Sequence, residues 1–265
     1  MHIDSNLVAI VERSSPFWAA EAEIVHTYWD SPVRTTETDR LWLLRQMYKE
    51  LWDGFYPSFR WITENFEDLE SGYPACEMVE EIKVMQEEFA HYVSFASVYA
   101  ALSLSLSRDR AIPSSARLRE TGDWPENREL MQRRARHVRE HGLLGKRAHR
   151  FTEGGYCTLY SEGMNLKGKG GADDLIAQAC SVVYDDEFEH MLRGIADVAR
   201  EGDSLANADW NILSDLAIEQ LRARLRMRNS QFSFPVSEAR MLALLAGECT
   251  PVVFDYDRAF GVAQS

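Results

Sequence analysis

From Cys76 to Leu106 the chain contains neither glycine nor proline, and its apolar residues return every three or four positions. A stretch of that length and period can bury its apolar stripe only as a helix of many turns, so it restricts the fold more than any other feature. The same period recurs over Pro16–Trp29 and over Glu37–Phe66, where Leu44, Met47, Tyr48, Leu51, Phe55 and Ile62 share a face. It recurs again over Lys146–Asn165, Ala172–Arg200, Asp209–Phe232 and, briefly, Ser237–Ala246. Strand-like alternation is scarce; PVVFDY at Pro251–Tyr256 is the one candidate strand. Pro57 lies inside the second helix and predicts a kink or a break there. Turns fall at SGYP (Ser71–Pro74) and KGKGG (Lys167–Gly171). Ser107–Pro125 reads as an irregular connection, and Glu126–Glu140, with its RRARHVRE run, as a solvent-facing helix.

Two long helical hairpins joined by a crossover of roughly 107–145 are the parts of a four-helix bundle. The expected architecture is therefore all-α, with residues 1–265 forming a single domain. Its core bundle covers about 37–200, and accessory helices lie at about 16–29 and 209–246.

Composition narrows the partners. With 45% hydrophobic and 27% charged residues the chain is globular. A net charge of -13 disfavours nucleic acid and anionic membrane surfaces, both of which need clustered Lys and Arg. Cys76, Cys157, Cys180 and Cys249 form no CxxC pair, which removes thiolate metal sites and redox dithiols. Few cysteines, no signal-peptide pattern and no apolar run of membrane-spanning length lead to the expectation of a soluble cytoplasmic protein.

Chemistry concentrates in two acidic passages, EEFAH at Glu87–His91 and DDEFEH at Asp185–His190. Each holds a Glu and a His three residues apart, Glu88 with His91 and Glu187 with His190, so each pair shares one helix face and can reach one metal ion. A solvated acidic face would explain either passage alone. Both pairs, however, sit on apolar sides: Met85, Phe95, Val98 and Leu102 accompany the first, Val183, Met191 and Gly194 the second. A carboxylate and an imidazole turned inward require a compensating charge.

Each pair is on the second helix of a hairpin, so the first helix should bring a carboxylate to the same level. With a turn near residue 70, Glu50 falls opposite Glu88, and Asp53 is the alternative. With a turn near residue 169, Glu153 falls opposite Glu187, whereas Glu162 is too close to the turn. His149, one turn before Glu153, is a further candidate ligand.

The resulting set, Glu50, Glu88, His91, Glu153, Glu187 and His190, resembles that of the ferritin-like di-iron carboxylate superfamily. That family takes one Glu from each of two helices and Glu-x-x-His from each of the other two. The resemblance covers about Glu37 to Arg200 and lies in motif and spacing. It implies a ferritin-like bundle holding two Fe ions, with Mn or a mixed Fe/Mn pair as variants. It also implies that Glu87 and Asp186, each just before an ExxH glutamate, orient the ligand histidines.

Val183 stands where some N-oxygenases of the family add a histidine, and Phe95 stands where radical-forming members need a tyrosine. The implied activity is therefore that of an oxidase or oxygenase using O2 on a small organic substrate, within reach of an electron-donor protein and compatible with a homodimer. Manganese catalase is the alternative. A storage ferritin fits less well because helices extend beyond the core at both ends, and a rubrerythrin-type peroxidase lacks its CxxC pairs here. Phe95, Val98, Gly154, Gly155 and Cys157 are the expected pocket walls, with the glycines leaving room for dioxygen or substrate.

Overall fold

The computed structural model describes residues 3–67, 75–106, 112–152, 156–202 and 205–262. Among them the chain is helical with connecting turns and has no strand, as the periodicity requires. No helix is long and apolar enough to cross a membrane among the described residues. The chain divides into two compact units, residues 35–124 with 166–182, and residues 1–34, 125–165 and 183–265.

The first of these units is built on a hairpin. Helix α2 (Thr36–Tyr48) opens with a reciprocal cap in which the Thr35 and Thr38 hydroxyls each accept the other residue's backbone N–H. It passes into a π-helical segment, Lys49–Phe55, and then into α3 (Tyr56–Asn65), with right-handed backbone angles at both junctions. The expected kink or break at Pro57 thus takes the form of a change in helical register. Proline has no N–H to return to a carbonyl four residues back, and its ring presses on that carbonyl. In the wider π register the Tyr56 N–H bonds the Leu51 carbonyl, five residues back, and the rod continues past Pro57.

Helix α4 (Ala75–Ser105) runs antiparallel along this rod. Arg40 donates to Ser103 Oγ at 3.0 Å and to the Tyr99 hydroxyl at 2.9 Å. Trp42 meets Phe95 edge-to-face at 6.2 Å, and Phe55 meets Phe89 at 5.4 Å near the other end. Its buried face carries Met78, His91, Phe95, Val98 and Leu102, the stripe the period marks. Ser115–Thr121, within the expected irregular connection, forms a short helix, α5. The Ser114 hydroxyl caps it, accepting the Arg117 N–H at 3.2 Å. Trp52 of the π segment donates its indole N–H to the Ser115 carbonyl at 3.1 Å, and Arg119 lies over the same ring.

The second unit contains α1 (Ser5–Trp29), α6 (Pro125–His141), α7 (Leu143–Arg150) and α8 (Thr158–Met164). With them are α10 (Asn207–Gln231), α11 (Glu238–Leu245) and α12 (Tyr256–Val262). Helix α9 (Ala172–Glu201) contributes to both units, the second from Val183 onward. Helix α10 is central and packs against α1, α6, α7 and α11.

Four expectations change in this unit. Helix α1 starts at Ser5 rather than Pro16, because Asp4 caps it through the Asn6 N–H and Leu7, Ile10 and Val11 are buried. That burial, about 1.5–3 kcal/mol per large apolar side chain, offsets the proline's cost of about 3 kcal/mol inside a helix. Helix α6 is only partly solvent-facing, since it buries Asn127, Leu130 and His137. The helix expected over 146–165 is two helices, α7 and α8, with Tyr156 and Cys157 between them in the left-handed region (φ 59° and 53°). Stacking of Tyr156 on Trp18 at 5.2 Å, and Cys157 O accepting the Ser161 N–H at 2.9 Å, hold that conformation. Finally, residues 251–255 form no strand, having no strand to pair with among the described residues; Phe254 instead packs on Trp18 and Tyr156.

Gly145 lets α7 approach α6 closely. A Cβ there would lie 2.3 Å from the His137 carbonyl oxygen and 2.4 Å from its carbon, both backbone atoms that cannot swing aside. Gly145→Ala is therefore expected to lower unfolding free energy by about 2 kcal/mol, the scale of an overpacked core, in urea titrations followed by circular dichroism.

Candidate metal centre

Glu50 lies in the π-helical segment, where its side chain faces α4 with only 4% exposure. One turn earlier Gln46, itself buried, donates its amide N–H to Glu50 Oε1 at 2.6 Å. That bond orients the carboxylate and leaves Oε2 facing the imidazole of His91, whose Nδ1 is 4.0 Å away. His91 is 1% exposed, and Glu88, one turn earlier on α4, places Oε2 at 4.0 Å from the same Nδ1. Glu50, Glu88 and His91 each bring one donor atom within 4.8 Å of the others.

This separation is informative. At 4.0 Å the atoms are too far apart for hydrogen bonds. Two ligands bound at roughly 2.0–2.2 Å to one ion lie about 3 to 4 Å apart, depending on their angle. Hard carboxylate oxygens and an imidazole nitrogen form a donor set suited to iron, manganese or zinc. The residues fit a divalent ion.

Phe95, one turn beyond His91 on the buried face of α4, and Trp42, in edge-to-face contact with it, are both buried, and apolar groups of this kind strengthen charge interactions made beside them. Tyr92, the neighbour of His91, has its phenol pushed up by burial and so stays protonated at neutral pH. Glu87 Oε1 lies 3.4 Å from Lys83 Nζ, one turn back on α4.

Asp53, the alternative to Glu50, is half-buried two residues from Leu51 and lies outside the convergent group. Glu187 and His190 are on α9, in the second unit, one turn apart on the helix that the period predicts. Phe188 between them stacks on Tyr184 and meets Tyr156 edge-on, both at 5.2 Å. Within DDEFEH, Glu189 is tied to Arg193 one turn on and Asp185 is exposed. These two residues have the surface role expected of an acidic helix face. Glu153, Gly154 and Gly155 lie outside the described residues. His149 closes α7, its Nδ1 3.2 Å from the Thr152 hydroxyl. Of the other expected pocket walls, Cys157 is fully buried.

Reading for ligands alone passes over Gln46 and Gly54, four positions before and after Glu50. A signal for both is present, since i±4 neighbours on a helix share its face. No protein-family model, curated protein or solved structure matches the chain.

Proposed function

We propose that this protein is a non-haem di-iron oxidase or oxygenase of the ferritin-like type, acting on a small organic substrate. The observation that carries this reading is the convergence of buried Glu50 and His91 with Glu88, at donor separations suited to a shared ion. The spacing pattern extends the set to Glu153, Glu187 and His190 as the matching second half. The four carboxylates of the proposed set would carry four negative charges, which two divalent ions would neutralise.

A di-iron pair would supply the electrons and the open coordination positions for reducing O2. The chain's own residues do the rest. Gln46 holds one oxygen of Glu50, and the other would be the one that binds the ion. His91 would provide a nitrogen ligand. Phe95, one turn beyond His91, and Trp42 packed on it would keep water from that side of the group.

Protein purified from iron-replete cells is expected to contain about two iron ions per chain. Its reduced form should take up O2 faster when its substrate is present. Folded protein with negligible metal would sink the proposal. Fast peroxide breakdown by a manganese-loaded form, with no substrate requirement, would instead favour the catalase alternative.

A further inference from the structure

We propose that Gly54 is a positioning residue that gives the Glu88 carboxylate its place at the metal centre, an inference that rests on the metal-binding reading above. Gly54 sits inside the π-helical segment, and its backbone is outside the left-handed region that would call for glycine. A glycine in a helix interior costs roughly 0.5–1 kcal/mol relative to alanine, so its presence needs another cause. That cause is spatial. A Cβ at residue 54 would lie 2.2 Å from Glu88 Oε2, 2.5 Å from Cδ and 3.0 Å from Oε1. The whole carboxylate occupies the volume that any side chain at residue 54 would fill. Its Oε2, the atom most crowded by such a Cβ, is the one facing His91 Nδ1.

The carboxylate is the far end of a flexible side chain, so a methyl group at residue 54 displaces it without moving backbone. Stability and metal binding should then separate. Gly54→Ala removes a helix-interior glycine and leaves the metal-free protein as stable as wild type or slightly more so. It also pushes a ligand oxygen away from the centre. A purely structural glycine would behave in the opposite way, losing stability and leaving affinity unchanged.

The test is titration of the metal-free full chain with cobalt(II) chloride, followed by d–d absorption, beside thermal melts of the metal-free proteins. Wild type should bind two ions. Gly54→Ala should bind one of them at least about tenfold more weakly, the range seen when groups that orient ligands are lost, and melt no lower than wild type. Shortening the displaced side chain should reverse part of the loss, so Gly54→Ala/Glu88→Asp should bind more tightly than Gly54→Ala. Unchanged cobalt affinity in Gly54→Ala, or a metal-free variant melting several degrees lower with no rescue, would overturn the role of Gly54 while leaving the metal centre standing. Wild type that binds no cobalt would overturn both.

Discussion

Glu21→Ala should cost about 3–5 kcal/mol of unfolding free energy, the largest single-residue effect expected outside the metal centre. Glu21 of α1 is 1% exposed and lies against two arginines of α10. Arg224 reaches it with two bonds, Nε to Oε2 at 2.7 Å and a terminal nitrogen to Oε1 at 3.0 Å; Arg228 Nε adds a third at 2.7 Å. Arg228 also bonds the Gln231 side chain. Burial acts to raise the carboxyl's pKa, but the charges and hydrogen bonds of the two guanidiniums more than offset it, so the group stays ionised below the ordinary range. Alanine would remove the anion and leave both buried cations behind.

The sign of the pH dependence follows. A carboxyl whose pKa is depressed by folding contributes its full stability above its unfolded value, 4.5, and loses it as pH falls through the folded value. Urea titrations at pH 7 and pH 3.5 should therefore show a smaller gap between wild type and Glu21→Ala at the lower pH. Replacing all three groups together, as Glu21→Leu/Arg224→Met/Arg228→Met, should cost far less than Glu21→Ala. The desolvation of three charges disappears along with their attraction. A triple variant less stable than Glu21→Ala would show that the cluster stabilises through its charges rather than merely requiring completeness.

His91→Ala and Glu88→Ala are each expected to weaken binding of the associated ion by about a hundredfold or more. Removing a ligand exceeds the 10–100-fold cost of removing a group that only orients one. The metal-free form should lose far less: His91 is fully enclosed, and its deletion leaves a small void worth about 1–3 kcal/mol. Asp53→Ala and His149→Ala serve as controls and should retain the full metal complement, because the proposed ligand set of Glu50, Glu88, His91, Glu153, Glu187 and His190 includes neither. Elemental analysis of the four variants, with circular dichroism to verify helix content, separates loss of ligand from loss of fold. Full metal in both His91→Ala and Glu88→Ala would show that the ions bind elsewhere.

Much of this arrangement is legible in the residues. Helix α4 follows from an unbroken apolar period, and Glu88 and His91 share a face because three residues nearly complete a turn. Counting back from the turn places Glu50 level with them, and the structure sets its Oε2 4.0 Å from His91 Nδ1. Both prolines show the limit of local propensity. Pro16 reads as a helix start, and Pro57 as a kink or a break, because propensity is local. Packing against α10 carries α1 through the first, and a π register carries the α2–α3 rod past the second.

The sequence by itself determined the helical class, the two ExxH faces and the level of Glu50, since all three depend on period and chain length, which are local. Only the tertiary structure decided that Asp53 stays outside the group and that the Glu88 carboxylate occupies the space left by Gly54. It also decided that Glu21 meets Arg224 and Arg228 across more than two hundred positions of chain. Such contacts depend on how closely two helices approach and in which register. Distance in space between residues far apart in the chain is set by packing, and no local pattern encodes it.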